Sequence, residues 1–237
     1  RIHKRERFSA EIALKLAAYA QEAMGQPASY IVWNRMTAKK GDPKNLDPNY
    51  LTRNQSPYSV WHQALHEFQE HFANGQHPVP IFHVDIHGKM DRKDNLDLDI
   101  GMGPMENCWG SSRSDAEATA EVESLKEHLA SGMREAFRTL KGKVFLVHGK
   151  QMQMTVEDDP YLNAYWGGGT FETISHQSVN LRIPAIQLEV PLTMRRELMR
   201  NDQLFRRFAG AIYQSYKYMV SNFKCIESKP RVCGCAL

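Results

Sequence analysis

The chain has 237 residues, and its 30 lysines and arginines nearly balance 27 aspartates and glutamates, for a formal net charge of +3. That balance excludes a nucleic-acid binder held mainly by phosphate contacts, and nothing requires an anionic membrane surface as partner. With 42% apolar and 24% charged residues, the composition is globular and far from disorder.

Taken in chain order, Ser9 reads as an N-cap, with Glu11 suited to the positive end of a helix. Ile12, Leu16, Tyr19 and Ala20 recur at helical spacing up to Met24-Gly25. Residues 29–36 form a β-prone run. Asp42-Pro43 and Asp47-Pro48 mark the polar loop of residues 37–56. Ser56-Pro57 opens a second helix with the stripe Trp61, Leu65, Phe68 and Phe72. Pro80 to His87 alternates as a strand, and Leu96 to Ile100 reads as another. Ser114-Asp115-Ala116-Glu117 is a capping box before a helix carrying Val122, Leu125, Leu129, Met133 and Phe137. Lys143 to His148 and Pro184 to Val190 are further strands. Asn201-Asp202 caps a last helix with the stripe Phe205, Phe208, Ile212, Tyr216 and Met219. Helices alternating with short strands predict one α/β domain with a mixed, mostly parallel sheet flanked by helices. It should span residues 1–224, with a cysteine-containing tail over 225–237.

No apolar run reaches the roughly 18 residues of a membrane span. The four cysteines, Cys108, Cys225, Cys233 and Cys235, form neither a disulfide framework nor a paired zinc ribbon. The pattern is compatible with a reducing compartment. The chain opens Arg1-Ile2-His3 without a signal peptide or initiator Met, so a further N-terminal piece is expected upstream.

Ten histidines are the compositional hint of chemistry. In open α/β sheets, sites form beyond the carboxyl ends of strands. His83-Val84-Asp85-Ile86-His87-Gly88 puts His83, Asp85 and His87 on one face. A histidine beside a glycine at a strand end suits a metal, with a nearby carboxylate to orient its ring. Glu189 interrupts the apolar run Ile186 to Val190, and a buried carboxylate needs a partner, a metal or a function. His148 reads as an exposed turn residue. His62 and His66 share i, i+4 spacing without the zincin pattern, and read as a solvated helix face. Gly167-Gly168-Gly169-Thr170 lacks the lysine of a phosphate loop, although its backbone can approach a ligand closely. His3 and Glu6 have the His-x-x-Glu spacing, without a preceding strand.

These strand ends carry a resemblance. Val84-Asp85-Ile86-His87-Gly88 is similar to the Asp-x-His-Gly metal motif of the N-formylglutamate amidohydrolases, relatives of the zinc carboxypeptidases. Leu46 to Tyr50 resembles that family's Asp-x-Asn-Arg segment, and Trp61 to Phe72 the helix after it. Pro160 to Thr170 resembles its glycine-containing loop, and Ala185 to Val190 its Gln-x-Glu strand. The likeness covers roughly residues 9–222.

The resemblance implies a zinc carboxypeptidase-type fold and hydrolysis of an amide in a small N-acyl amino acid or a peptide terminus. His87 would ligate zinc and Glu189 would be the general acid/base. Asn49, Gly168, Gly169, Thr170 and His176 would contact substrate. The family's remaining zinc ligands, a His and a Glu, precede its first helix. Here His3 and Glu6 fill that role, or the ligands lie on a segment before Arg1, or they are lost; His83 could serve as a second ligand. Tyr50 replaces the family's substrate-binding arginine, for which Arg53, Arg92 or Arg182 could substitute. Lys89 stands where many relatives have a second histidine. The competing reading is a non-catalytic relative that uses the same cleft for binding.

Overall fold

In the computed structural model the described residues are 6–32, 48–52, 54–73, 80–91, 98–106, 116–140, 144–147, 150–153 and 173–223. They form a mixed α/β structure. Helix α1 spans Ser9–Met24, α2 Val60–Ala73, the single turn α3 Gly103–Met105, and α4 Ala116–Ala136. Then come α5 (Ile174–Asn180), α6 (Leu192–Arg200) and α7 (Asp202–Asn222). The strands are β1 (His83–Lys89), β2 (Asp99–Gly101), β3 (Val144–Val147), β4 (Lys150–Gln153) and β5 (Ala185–Pro191).

One sheet runs β1-β5-β2, with β1 parallel and β2 antiparallel to β5; β3 and β4 form a separate antiparallel pair. The sheet is mixed, as the sequence predicts. Among the described residues only β1 with β5 supplies the parallel pairing expected to dominate. β5 is the middle strand and is buried at every residue but Glu189, which matches its nearly continuous apolar run. β1 is half-buried at all seven residues.

Local signals explain several helix boundaries. Asn201 caps α7, its Oδ1 accepting the Leu204 N–H at 3.0 Å. Ser9 is the first residue of α1 rather than its cap: Phe8 precedes it at φ 70, and the Ser9 hydroxyl donates to the Glu6 carbonyl at 3.0 Å. Gly25 closes α1 at φ 61, a left-handed conformation that glycine adopts without strain, and its N–H reaches Ala20 O. The expected start of α2 shifts by a turn. Ser56-Pro57 forms a 3-10 turn, Ser56–Tyr58, and Ser59 Oγ accepts the His62 N–H at 3.0 Å. Residues 25–32 contain no strand, contrary to the β-prone reading of 29–36, whose remaining residues lie outside those described. So do Ser114-Asp115 and the tail 225–237.

The main core lies between the sheet and α1, α4, α6 and α7. Val122, Leu125, Leu129, Met133 and Phe137 of the α4 stripe are all buried, as are Phe205, Phe208 and Met219 of α7. Each such side chain contributes about 1.5–3 kcal/mol over its exposed state. A smaller cluster of Leu65, Ile174 and Ile183 ties α2 to α5 and the entry of β5. The α4–α7 contact needs a small residue. A Cβ built on Gly132 would sit 3.1 Å from Ala211 Cβ. Gly132→Leu should therefore lower stability by about 1–3 kcal/mol in urea unfolding, at unchanged m-value; an unchanged midpoint would show that the helices can part freely.

Candidate functional site

The parallel register sets the site. His87 pairs with Glu189, and Asp85 with Gln187, so all four side chains share one face near the carboxyl ends of β1 and β5. Asp99 of β2 is in register with Glu189 from the other side. Glu6 joins them from the segment leading into α1.

His87 is the hub. Its Nε2 is 3.1 Å from Asp85 Oδ2 and 3.2 Å from Asn49 Nδ2. Its Nδ1 lies 3.5 Å from Glu6 Oε1 and 4.0 Å from Glu189 Oε1. The carboxylates are themselves oriented. The Gly88 N–H donates to Glu6 Oε2 at 2.6 Å, and Gln187 Nε2 donates to Glu189 Oε1 at 3.0 Å. Asn49 Oδ1 accepts the Ile174 N–H at 2.9 Å, so Asn49 connects the start of α5 to the His87 ring.

The electrostatics follow from crowding acids around one imidazole. Burial alone would lower the pKa of His87, but Asp85, Glu6 and Glu189 outweigh it and hold the value well above that of an ordinary histidine. Burial raises the Glu189 carboxyl; His87 opposes the shift and Glu6 adds to it. Lys89 pairs with the buried Asp99 at 2.6 Å. Arg195, 2% exposed, gives Nη2 to the Lys89 carbonyl at 3.0 Å and Nη1 to the Arg7 carbonyl. It thereby staples the segment bearing Glu6 to the end of β1. Its guanidinium packs onto Gly88, where any Cβ would overlap it.

The arrangement satisfies part of a zinc site. Tetrahedral zinc, with bonds of about 2.0–2.2 Å to imidazole and carboxylate, holds two such donors about 3.4 Å apart. The His87 Nδ1 to Glu6 Oε1 separation of 3.5 Å fits that spacing. Asp85 on the opposite ring nitrogen is the usual orienting partner of a ligating histidine. Among the described residues, however, no three His, Cys, Asp or Glu side chains form a complete ligand set.

The other predicted residues divide clearly. His83 is not brought to His87, being four residues, or about 13 Å, back along β1. Its Nδ1 is 2.6 Å from Ser178 Oγ, and burial lowers its pKa. It is a hydrogen-bonded interior histidine, so the second-ligand reading is corrected. Arg182 is exposed at φ 66 in the turn before β5, roughly 20 Å of chain from Glu189 and at the wrong end of the strand. It is not placed to replace the family's arginine. His176 sits in the first turn of α5 with its Nδ1 2.7 Å from Thr173 Oγ1; Asn49 lies between that turn and His87. His3, Arg53, Arg92, Gly168, Gly169 and Thr170 lie outside the described residues. Sequence reasoning missed Arg195 and the Lys89–Asp99 pair. Met194-Arg195-Arg196-Glu197 reads as an ordinary polar helix stretch, and no local pattern marks which arginine turns inward.

Proton NMR of chelator-treated protein should show His87 titrating above the ordinary histidine range and His83 below it. Asp85→Asn should bring His87 down. Because the folded pKa of His87 is raised, its contribution to stability is complete below the unfolded pKa and disappears as pH rises through the folded one. The reverse order of the two titrations would contradict the cluster described.

Comparison of the chain with models of known protein families, with characterised proteins and with solved structures finds no match.

Proposed function

We propose that the chain is a zinc-dependent hydrolase that cleaves the C–N bond of an amide, in an N-acyl amino acid or at a peptide terminus. The supporting observation is the pairing of Glu6 and Glu189 on one ring nitrogen of His87 while Asp85 holds the other. In this reading Glu6 and His87 supply a ligating edge, Asp85 orients the ring, and Glu189 is the carboxylate that transfers protons.

His87 and Glu6 would hold the metal, with His3 the third donor that the sequence offers. Zinc, when bound, polarises an amide carbonyl and lowers the pKa of a water. Glu189 takes the proton from the attacking water and delivers it to the leaving nitrogen. Its raised pKa suits both steps, since the carboxyl must accept and then release within one turnover. Gln187 fixes Oε1 of Glu189, and Asn49, tied to the start of α5, offers its amide beside the His87 ring. The buried Lys89–Asp99 pair keeps a fourth acid from adding its charge to the cluster.

A second reading has an observation of its own. With carboxylates at both ring nitrogens, a protonated His87 offsets part of the cluster's negative charge without any metal. A non-catalytic protein of this fold would keep the cluster as an ion-paired latch.

Metal analysis separates the two. The first reading expects about one zinc per chain, lost in His87→Ala. Glu189→Gln should retain zinc and lose about 10²–10⁴-fold in turnover against a panel of N-acyl amino acids and short peptides. Zinc-free, chelator-insensitive protein that folds normally would establish the latch.

A further inference from the structure

Of the four helical apolar stripes in the sequence, three are only partly buried. On α1, Ile12 is buried, but Leu16, Tyr19 and Ala20 are half-buried; on α2 only Leu65 is buried, leaving Trp61, Phe68 and Phe72 half-buried; on α7, Ile212 and Tyr216 remain half-buried. All eight half-buried side chains line one cavity of about 620 Å³. Its floor is the stretch from Pro80 to His87, the lead-in to β1 and most of the strand, on the edge away from β5. The cavity size is that of a ligand site, and its walls are apolar surface still facing water.

The floor identifies the occupant. The His83 N–H donates to the Pro184 carbonyl at 2.8 Å, so His83, Asp85 and His87 turn their peptide groups toward β5. Backbone direction alternates along a strand, and the N–H and C=O of Val84, Ile86 and Gly88 point to the open edge. Gly88 N–H is taken by Glu6. For Val84 and Ile86 no strand lies on that side among the described residues. A hydrocarbon chain would cover the walls but leave those peptide groups unpaired in an apolar surrounding, which is costly. An edge strand set into a folded second copy could not reach a floor flanked by α1, α2 and α7. An extended polypeptide meets both demands, offering peptide groups to the edge and alternate apolar side chains to the walls.

We infer that the edge of β1 away from β5, which carries no strand among the described residues, is a docking site for an extended, apolar segment of a partner polypeptide, which adds a strand to the sheet. The floor accommodates about six residues, or about 20 Å. The lining carries Glu6 and Asp85 with His87 between them and no lysine or arginine, so acids outnumber the one basic ring they surround and the segment is neutral or basic and not acidic. The inference rests on the strand edge and the helix stripes, and stands whether or not the His87 cluster holds zinc.

Fluorescence anisotropy with the full chain tests it, using a labelled hexapeptide, Lys-Val-Thr-Val-Thr-Val, and two forms N-methylated on alternate amides in opposite phase. Strand addition predicts saturable binding that one methylated phase weakens by about tenfold or more and the other leaves nearly intact. Phe72→Glu and Ile212→Glu, on different walls, should each weaken binding comparably. Absence of binding at millimolar peptide would overturn the inference, as would equal loss or equal retention in both phases. Protection of the Val84 and Ile86 amides from hydrogen exchange in the peptide-free monomer would overturn it too, since the edge would already be paired. So would a dimer in sedimentation that excludes the peptide, or a fluorescent fatty acid binding where the peptide does not.

Discussion

Carboxylates removed from water must be met by positive charge or hydrogen bonds, and around His87 the chain removes several at once. Glu6, Asp85 and Glu189 surround one imidazole, while Asp99 flanks Glu189 across the sheet. Lys89 answers Asp99, the Gly88 amide answers Glu6, and Gln187 answers Glu189. What remains is carried by His87, and its elevated basicity expresses that load. The same balance explains why Arg195 is buried close by, although its hydrogen bonds go to backbone carbonyls and not to the acids.

The sheet makes this crowding possible. Parallel pairing of β1 with β5 places residues of like register side by side, so one alternating motif on each strand suffices to build one face. The two faces of β1 then serve different ends. Phe82, Val84 and Ile86 pack toward the main core, while Asp85 and His87 meet the acids arriving from the segment before α1 and from β5. The β1 edge is a third surface, and three helices present apolar side chains to it.

Much of this was legible because it is local. Alternation from Phe82 to His87 announced the strand and the shared face of Asp85 and His87, and the interruption of an apolar run singled out Glu189. The stripe of α4 and the Asn201 cap followed from helical periodicity and capping chemistry. The failures are non-local. Nothing near His83 in sequence announces Ser178, and nothing near Arg195 announces the Lys89 and Arg7 carbonyls. Ser59 was passed over because Ser56-Pro57 carries the stronger start signal, although that signal makes only a 3-10 turn. The short β2 looked like any other strand, and its antiparallel direction is set by its pairing with β5 rather than by composition. Periodicity marks the apolar faces of α1, α2 and α7 without saying what covers them.

The residues that meet at His87 come from positions 6, 49, 85 and 189, and the Glu6 carboxylate reaches Gly88 across 82 positions of sequence. No short stretch of chain can assemble such a site by itself. Closing loops of that length costs entropy before any contact rewards it, so the cluster belongs to the late, topologically demanding part of folding. A ligand gripping Glu6 and His87 together would therefore bind only the finished domain, and by mass action would shift the unfolding of the whole domain rather than of one helix. Conversely, loosening of the few residues ahead of α1 would withdraw Glu6 from the site while leaving the strands in place. Occupancy of the cluster would then report on the docking of the chain's first turn.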